Sequence, residues 1–152
     1  MIALALTAAL VAGAPIAPRP LASLERTRCY GHCPAYKVVV YTDGTVEWHG
    51  TADVAVVGDR QAKLSAAKVK ALVAAFRTAR FFQLNDEGRI PDPGEVRVHG
   101  CTDTSHAIVT FAQGGKEKTL DDAHCTDEPN PLTRLEESID RIVGTSVWVR
   151  GK

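Results

Sequence analysis

YKVVVYTDGTVEWH, residues 36–49, decides the fold class of this 152-residue chain. Tyr36 to Tyr41 is crowded with β-branched and aromatic side chains, which suit a pleated strand better than a helix. Asp43-Gly44 interrupts the run and Thr45 to His49 resumes it. Two strand-like runs around a short Asp-Gly turn predict an antiparallel hairpin, with glycine tolerating the positive φ of a type I′ turn. Alternation places Tyr36, Val38 and Val40 on one face, and Val46 and Trp48 on one face of the return strand.

On the N-terminal side, Ser23 to Arg28 alternates weakly and predicts a first strand. On the C-terminal side, Asp53 to Val57 (DVAVV) predicts a further strand, ended by Gly58. Ser65 suits a helix N-cap. Val69, Leu72, Val73 and Phe76 follow at i, i+3, i+4 and i+7, so Ala66 to about Ala79 predicts an amphipathic helix. Lys68, Lys70, Arg77 and Arg80 fall largely off that stripe and read as a solvated helix face. Phe81, Phe82 and Leu84 are expected to plug the core behind the helix. Asn85 to Gly94, with Gly88, Pro91 and Pro93, is a loop, and Glu95 to His99 predicts a short strand.

Ser105 to Phe111 and Lys116 to Leu120 flank Gln113-Gly114-Gly115 as a second hairpin. Asn130-Pro131 is a cap followed by proline at the first helical position. Leu132, Leu135, Ile139 and Ile142 then mark a second amphipathic helix, stopped near Gly144. Thr145 to Val149 predicts a last edge strand. The elements together predict an α+β fold: an antiparallel sheet built from two hairpins, with two amphipathic helices packed on one face.

Length argues for a single domain, placed at residues 21–152. Lys plus Arg and Asp plus Glu number 18 each. Zero net charge provides no long-range field for nucleic acid or acidic membranes. Aromatic residues are only 6%, too few for a base-stacking platform. Ile2 to Ala14 is an apolar run too short to span a bilayer, which needs about 20 residues. It fits the h-region of a secretory signal peptide, with Ala12-Gly13-Ala14 resembling a cleavage site, although no Lys or Arg precedes it. Pro15, Pro18 and Pro20 extend residues 1–20 into a linker. The expected location is therefore periplasmic or secreted, with no stable membrane span after processing, no nucleic-acid partner and no cofactor. A monomer is expected.

RTRCYGHCPAY, residues 26–36, places Cys29 and Cys33 four residues apart around Gly31, with Pro34 following. Cys101 and Cys125 flank the second hairpin. Four cysteines allow three connectivities. The expected pairs are Cys29–Cys33, where Gly31 lets the chain bend into a small ring, and Cys101–Cys125, which joins the two ends of a hairpin-bearing segment. On the loop-entropy account the long ring contributes about 3.5 kcal/mol and the short one about 2. Two alternatives use the same residues. A thiol-redox pair at Cys29 and Cys33 needs a lowered thiolate pKa, which His32 could support, but the spacing is one residue longer than Cys-x-x-Cys and a strand follows. A Cys/His metal site would gather Cys29, His32, Cys33 and His124.

The remaining candidates are weaker. His49, His99 and His106 are scattered. Asp121, Asp122, Asp127 and Glu128 bracket Cys125 without the spacing of a calcium loop, and read as a solvated acidic loop. Asp103 suits a turn. No nucleophile elbow, phosphate-cradling loop or HExxH pattern occurs, so no catalytic residue is assigned.

Arg26, Thr27, Cys29, Tyr30, Gly31, Cys33, Pro34 and Tyr36, then Asp43 and Gly44, resemble the N-terminal signature of an uncharacterised bacterial family, domain of unknown function 6438. The resemblance continues through Phe81-Phe82 and Cys101-Thr102-Asp103 to Leu132, Leu135, Glu136, Ile139 and Asp140. It spans roughly residues 22 to 145. It implies a small, often exported bacterial domain and no particular activity. The function expected is a non-enzymatic binding or structural module stabilised by disulfides, with the thiol-redox and metal-binding readings as alternatives.

Overall fold

The computed structural model describes residues 17–93, 101–125 and 130–151. Six strands form one antiparallel sheet: β1 (Pro20–Arg26), β2 (Ala35–Tyr41), β3 (Thr45–Ala52), β4 (Gly58–Lys63), β5 (Ala107–Gln113) and β6 (Lys116–Asp122). Their spatial order is β4-β3-β2-β1-β5-β6. The helices are α1 (Ala66–Thr78), α2 (Pro131–Val143) and the short α3 (Ser146–Arg150). This is the α+β architecture that the two hairpins and two amphipathic stripes predict. The expected strands at 95–99 and the acidic pair Asp127-Glu128 lie outside the described residues.

Leu24 of β1 pairs with Val38 on one side and Val109 on the other. Val38 faces Trp48 across the next ladder. These inward side chains join Leu72 and Phe76 of α1 and Leu132, Leu135 and Ile139 of α2 in one buried core. Both helices therefore cover the same face of the sheet. Phe76 of α1 stacks on Phe111 of β5 with ring centroids 4.1 Å apart. The opposite face presents Lys37, Glu47 and His49 to solvent. Ser65 caps α1 by accepting the Lys68 amide at 3.3 Å, and Asn130 caps α2 by accepting the Thr133 amide at 2.8 Å. Pro131 occupies the first turn of α2, and Gly144 ends the helix at φ +84°.

Five local expectations are corrected. The first hairpin has a three-residue loop, Thr42 to Gly44, not a two-residue type I′ turn. Only Gly44 has positive φ, and its amide donates to the Tyr41 carbonyl at 2.9 Å. Type I′ geometry is found instead in the second hairpin, where Gly114 and Gly115 both have positive φ.

Residues 53–57 are a loop and not a strand; the strand lies beyond, at Gly58–Lys63. Asp53 turns into left-handed φ, and Val54 and Val56 pack against the core from the loop. The true strand, GDRQAK, is an edge strand exposed along most of its length, so no apolar alternation marks it.

The edge strand expected over Thr145 to Val149 is replaced by the helix Ser146–Arg150, with Thr145 at its N-cap. Left-handed Gly144 redirects the chain, and the Thr145 hydroxyl donates to Asp140 Oδ1 at 2.7 Å. Trp148 packs tilted on Trp48 at 5.1 Å, while the carbonyls of Trp148 and Val149 accept the amides of Val56 and Ala55. The apolar residues of this segment thus seal the 53–57 loop instead of extending the sheet.

Phe81 and Leu84 are buried, but Phe82 is 37% exposed. Adjacent residues in a short 3₁₀ turn point in different directions, so both phenyl rings cannot face the core. β1, expected at Ser23 to Arg28, begins and ends earlier, with Pro20 as its first residue. That position suits proline in a strand.

Candidate functional site

The cysteines are joined as Cys29–Cys33 and Cys101–Cys125, with S–S distances of 1.99 and 2.16 Å. The first ring projects from the end of β1 just before β2. Gly31 within it has φ +143°. Tyr30 is 94% exposed and the His32 side chain 97%. His32 Nδ1 lies 3.1 Å from Asp53 Oδ1. Pro34 leads the chain into β2. The second disulfide sits at the same end of the sheet, where the chain enters β5 and leaves β6, since Arg26 pairs with Ala107 and Ala107 with Asp122. Asp103 nearby adopts left-handed φ, in keeping with a turn.

Joined in disulfides, the cysteines offer no thiolate to a metal. His32 and His124 are not brought together: His32 contacts Asp53, whereas His124 contacts Glu136. His49 and His106 form exposed cross-strand pairs with Asp59 at 2.6 Å and Asp121 at 2.7 Å. His99 lies outside the described residues.

The chemistry of the molecule is concentrated elsewhere, between the end of β1, the start of β2 and α2. Arg26 is the last residue of β1. Its Nε donates to Tyr36 Oη at 3.0 Å and to Asp140 Oδ2 at 3.1 Å. Its Nη2 donates to Asp140 Oδ2 at 2.9 Å, and its Nη1 to Glu136 Oε2 at 3.2 Å. Tyr36 Oη donates in turn to Asp140 Oδ1 at 2.6 Å. Glu136 and Asp140 are one turn apart on α2, so both carboxylates project toward the same place. Arg26 and Tyr36 face each other in the β1–β2 ladder, which is why the guanidinium and the phenol share Asp140.

A second half adjoins the first through Glu136. His124 Nε2 lies 2.8 Å from Glu136 Oε2. Asp122, the last residue of β6, accepts the His124 amide at 3.1 Å, the Thr133 hydroxyl at 2.9 Å and Asn130 Nδ2 at 3.2 Å. Asp122 is buried, which corrects the solvated acidic loop expected at that position. Glu136 is 0% exposed, and its Oε1 has no hydrogen-bond partner.

The electrostatics follow from this packing. Burial works against the Arg26 charge, but Asp140, Tyr36 and Glu136 outweigh it and hold its pKa above the ordinary value. Burial, reinforced by the Asp140 carboxylate, raises the Tyr36 phenol, so it stays protonated and donates. The hydrogen bond to Glu136 raises the His124 imidazole above its ordinary value despite partial burial. Burial pushes the Glu136 carboxyl up, while His124 and Arg26 pull it down.

Arg26, Tyr36, Glu136 and Asp140 all stand in the pattern by which the chain resembles a known family, yet sequence reasoning did not join them into one site. One signal was available. Glu136 sits inside the apolar stripe of α2, four residues after Leu132 and three before Ile139. An acidic residue in such a stripe requires buried partners.

Fold and site together define a small disulfide-crosslinked α+β domain with a buried ionic network and no catalytic triad or nucleophile–base pair among the described residues. The family described as Domain of unknown function (DUF6438) matches residues 20–143, and the chain belongs to it. No curated protein matches the chain. No helix among the described residues is long and apolar enough to cross a membrane.

Proposed function

We propose that this chain is a non-enzymatic binding or structural module that works outside the cytoplasm, in the periplasm or at the cell surface. The observation that carries this reading is the Cys29–Cys33 ring displaying Tyr30 almost fully to solvent. A phenol so exposed contributes little to the packing of its own domain, whereas a rigid aromatic side chain is an effective anchor in a complex. The ring lowers the entropy lost when such a loop is immobilised by a partner. Disulfides of this kind persist in oxidising compartments, and the apolar stretch before residue 15 suits a secretory signal.

Acid-trapping of the protein in growing cells, followed by thiol alkylation and peptide mapping, tests the reading. The expected result is a processed N-terminus with Cys29–Cys33 and Cys101–Cys125 peptides and no alkylated cysteine. Four alkylated cysteines in an unprocessed chain would overturn it.

A further inference from the structure

Asp122, His124 and Glu136 play no part in the reading above. One donor atom from each residue lies within 4.8 Å of the other two. We propose that these three side chains bind one divalent transition-metal ion of the zinc type, joining the end of β6 to α2. The proposal is separate from the export and binding reading, and its test does not depend on location or partner.

The donor set selects the class of ion. Imidazole nitrogen with two carboxylates suits zinc and its first-row neighbours, whereas calcium and magnesium favour oxygen alone. The disulfide-bonded cysteines are not needed, so the site withstands an oxidising compartment. Spacing is compatible as well. His124 Nε2 stands 2.8 Å from Glu136 Oε2 and 3.9 Å from Asp122 Oδ2. Donors around a tetrahedral ion at about 2.0–2.2 Å lie roughly 3.4 Å from one another, so side-chain shifts of less than about 1 Å admit the ion.

The Glu136 carboxylate is a second pointer: its Oε2 faces His124, and its Oε1 is buried without a hydrogen-bond partner. A wholly buried carboxylate oxygen lacking a hydrogen bond is rare, and ion coordination is one recognised reason for it. Charge points the same way. Asp122, Glu136 and Asp140 carry three negative charges, and Arg26 supplies one positive charge through its bonds to Asp140 and Glu136. With the ligands deprotonated as a bound metal requires, and His124 therefore neutral, the group is left at minus two, which one divalent cation cancels. The chain also aims the imidazole: left-handed φ at His124 turns it toward α2, and Cys125 beside it is tied to Cys101. Three protein ligands leave a fourth position for water or a small anion.

The test uses the full chain, stripped with chelator, dialysed and titrated with zinc chloride by calorimetry, with bound metal counted by elemental analysis. One zinc per chain is expected. Glu136→Gln and His124→Gln should each weaken binding at least about tenfold. His49→Ala, in the exposed His49–Asp59 pair, should leave it unchanged. Circular dichroism and non-reduced mass confirm that each variant is folded and crosslinked. If Glu136→Gln does not fold, the half-buried His124→Gln decides alone. No zinc uptake by wild type, uptake unaltered in His124→Gln, or uptake lost in His49→Ala would each overturn the site.

Discussion

Arg26→Met tests whether the ionic network holds α2 to the sheet. The substitution keeps an unbranched side chain of useful length but deletes the guanidinium, and with it four hydrogen bonds to Tyr36, Glu136 and Asp140. Removing one partner of a buried ion pair costs roughly 3–5 kcal/mol, because the other charge is left without compensation. The Arg26 side chain retains 21% exposure and Asp140 23%, while Glu136 has 1%. Water can therefore compensate Asp140 in part, but it cannot reach Glu136. A loss of about 3 kcal/mol at pH 7 is expected, near the lower end of that range. For a domain of this size the melting temperature should fall by about 10 °C. Arg26 is also one of the groups pulling the Glu136 carboxyl down against its burial. Without it, Glu136 takes up a proton at a higher pH and the uncompensated charge disappears. The gap between wild type and variant should therefore shrink from pH 7 to pH 4. Urea unfolding followed by tryptophan fluorescence at both values measures it. A gap below about 1 kcal/mol at pH 7, or one that widens on acidification, would refute the reasoning.

Gly44→Val should destabilise by about 2–3 kcal/mol, since φ is +85° and a Cβ there would stand 2.7 Å from the Leu64 carbonyl oxygen; chemical denaturation checks this. Leu72→Ala and Leu135→Ala, both in the core, should each cost roughly 2–5 kcal/mol by the same measurement, with the larger loss wherever the cavity collapses least. Replacing Cys101 and Cys125 together by serine should lower stability by about 3.5 kcal/mol, against about 2 for the Cys29 and Cys33 pair; equal losses would contradict the ring-size argument. The Lys63 ammonium, with the Thr45 amide and hydroxyl, holds the Asp43 carboxyl down to about 2. Its folded value lies below the ordinary one, so its stabilisation is present above about pH 4 and fades as pH falls through about 2. Carboxylate NMR titration should show this low value, and the difference between wild type and Asp43→Asn should vanish at the acid end.

Much of the fold was legible because its signals are local. Val38, Val40, Val46 and Trp48 alternate as a half-buried hairpin must, and the Leu72–Phe76 and Leu132–Leu135–Ile139 spacings state where two helices turn their apolar sides. Ser65, Asn130 and Gly144 mark helix ends by chemistry that operates within four residues. The misreadings share one cause: apolar residues used outside regular periodicity. Val54 and Val56 look like a strand because they alternate toward the core, yet they pack half-buried against it from a loop whose Val56 amide bonds the Trp148 carbonyl. Val147 and Val149 look like a strand because they are β-branched, but Gly144 and the Thr145–Asp140 bond commit that segment to a helix. The edge strand Gly58–Lys63 was invisible for the converse reason, since it buries almost nothing.

The buried site was less legible because its members come from distant parts of the chain. Arg26 and Asp140 are separated by 114 positions, and only the docking of α2 on the sheet unites them. Each member nonetheless carries a trace of its partner. Glu136 interrupts an apolar stripe, Tyr36 faces inward with a hydroxyl that burial obliges to bond, and Arg26 ends a central strand flanked on both sides. Three polar groups directed at one buried volume are costly unless they meet, so the apolar pattern that places them there also requires their pairing. The ladder pairing of Arg26 with Tyr36 fixes the donors, and the one-turn spacing of Glu136 and Asp140 fixes the acceptors. A shift of α2 along its axis by one turn would set Glu136 where Asp140 now lies and Leu132 where Glu136 now lies, leaving Arg26 Nη1 and His124 against an apolar side chain. Apolar packing alone would tolerate such a slide better than the network does. The polar cluster therefore specifies the register in which the helix meets the sheet.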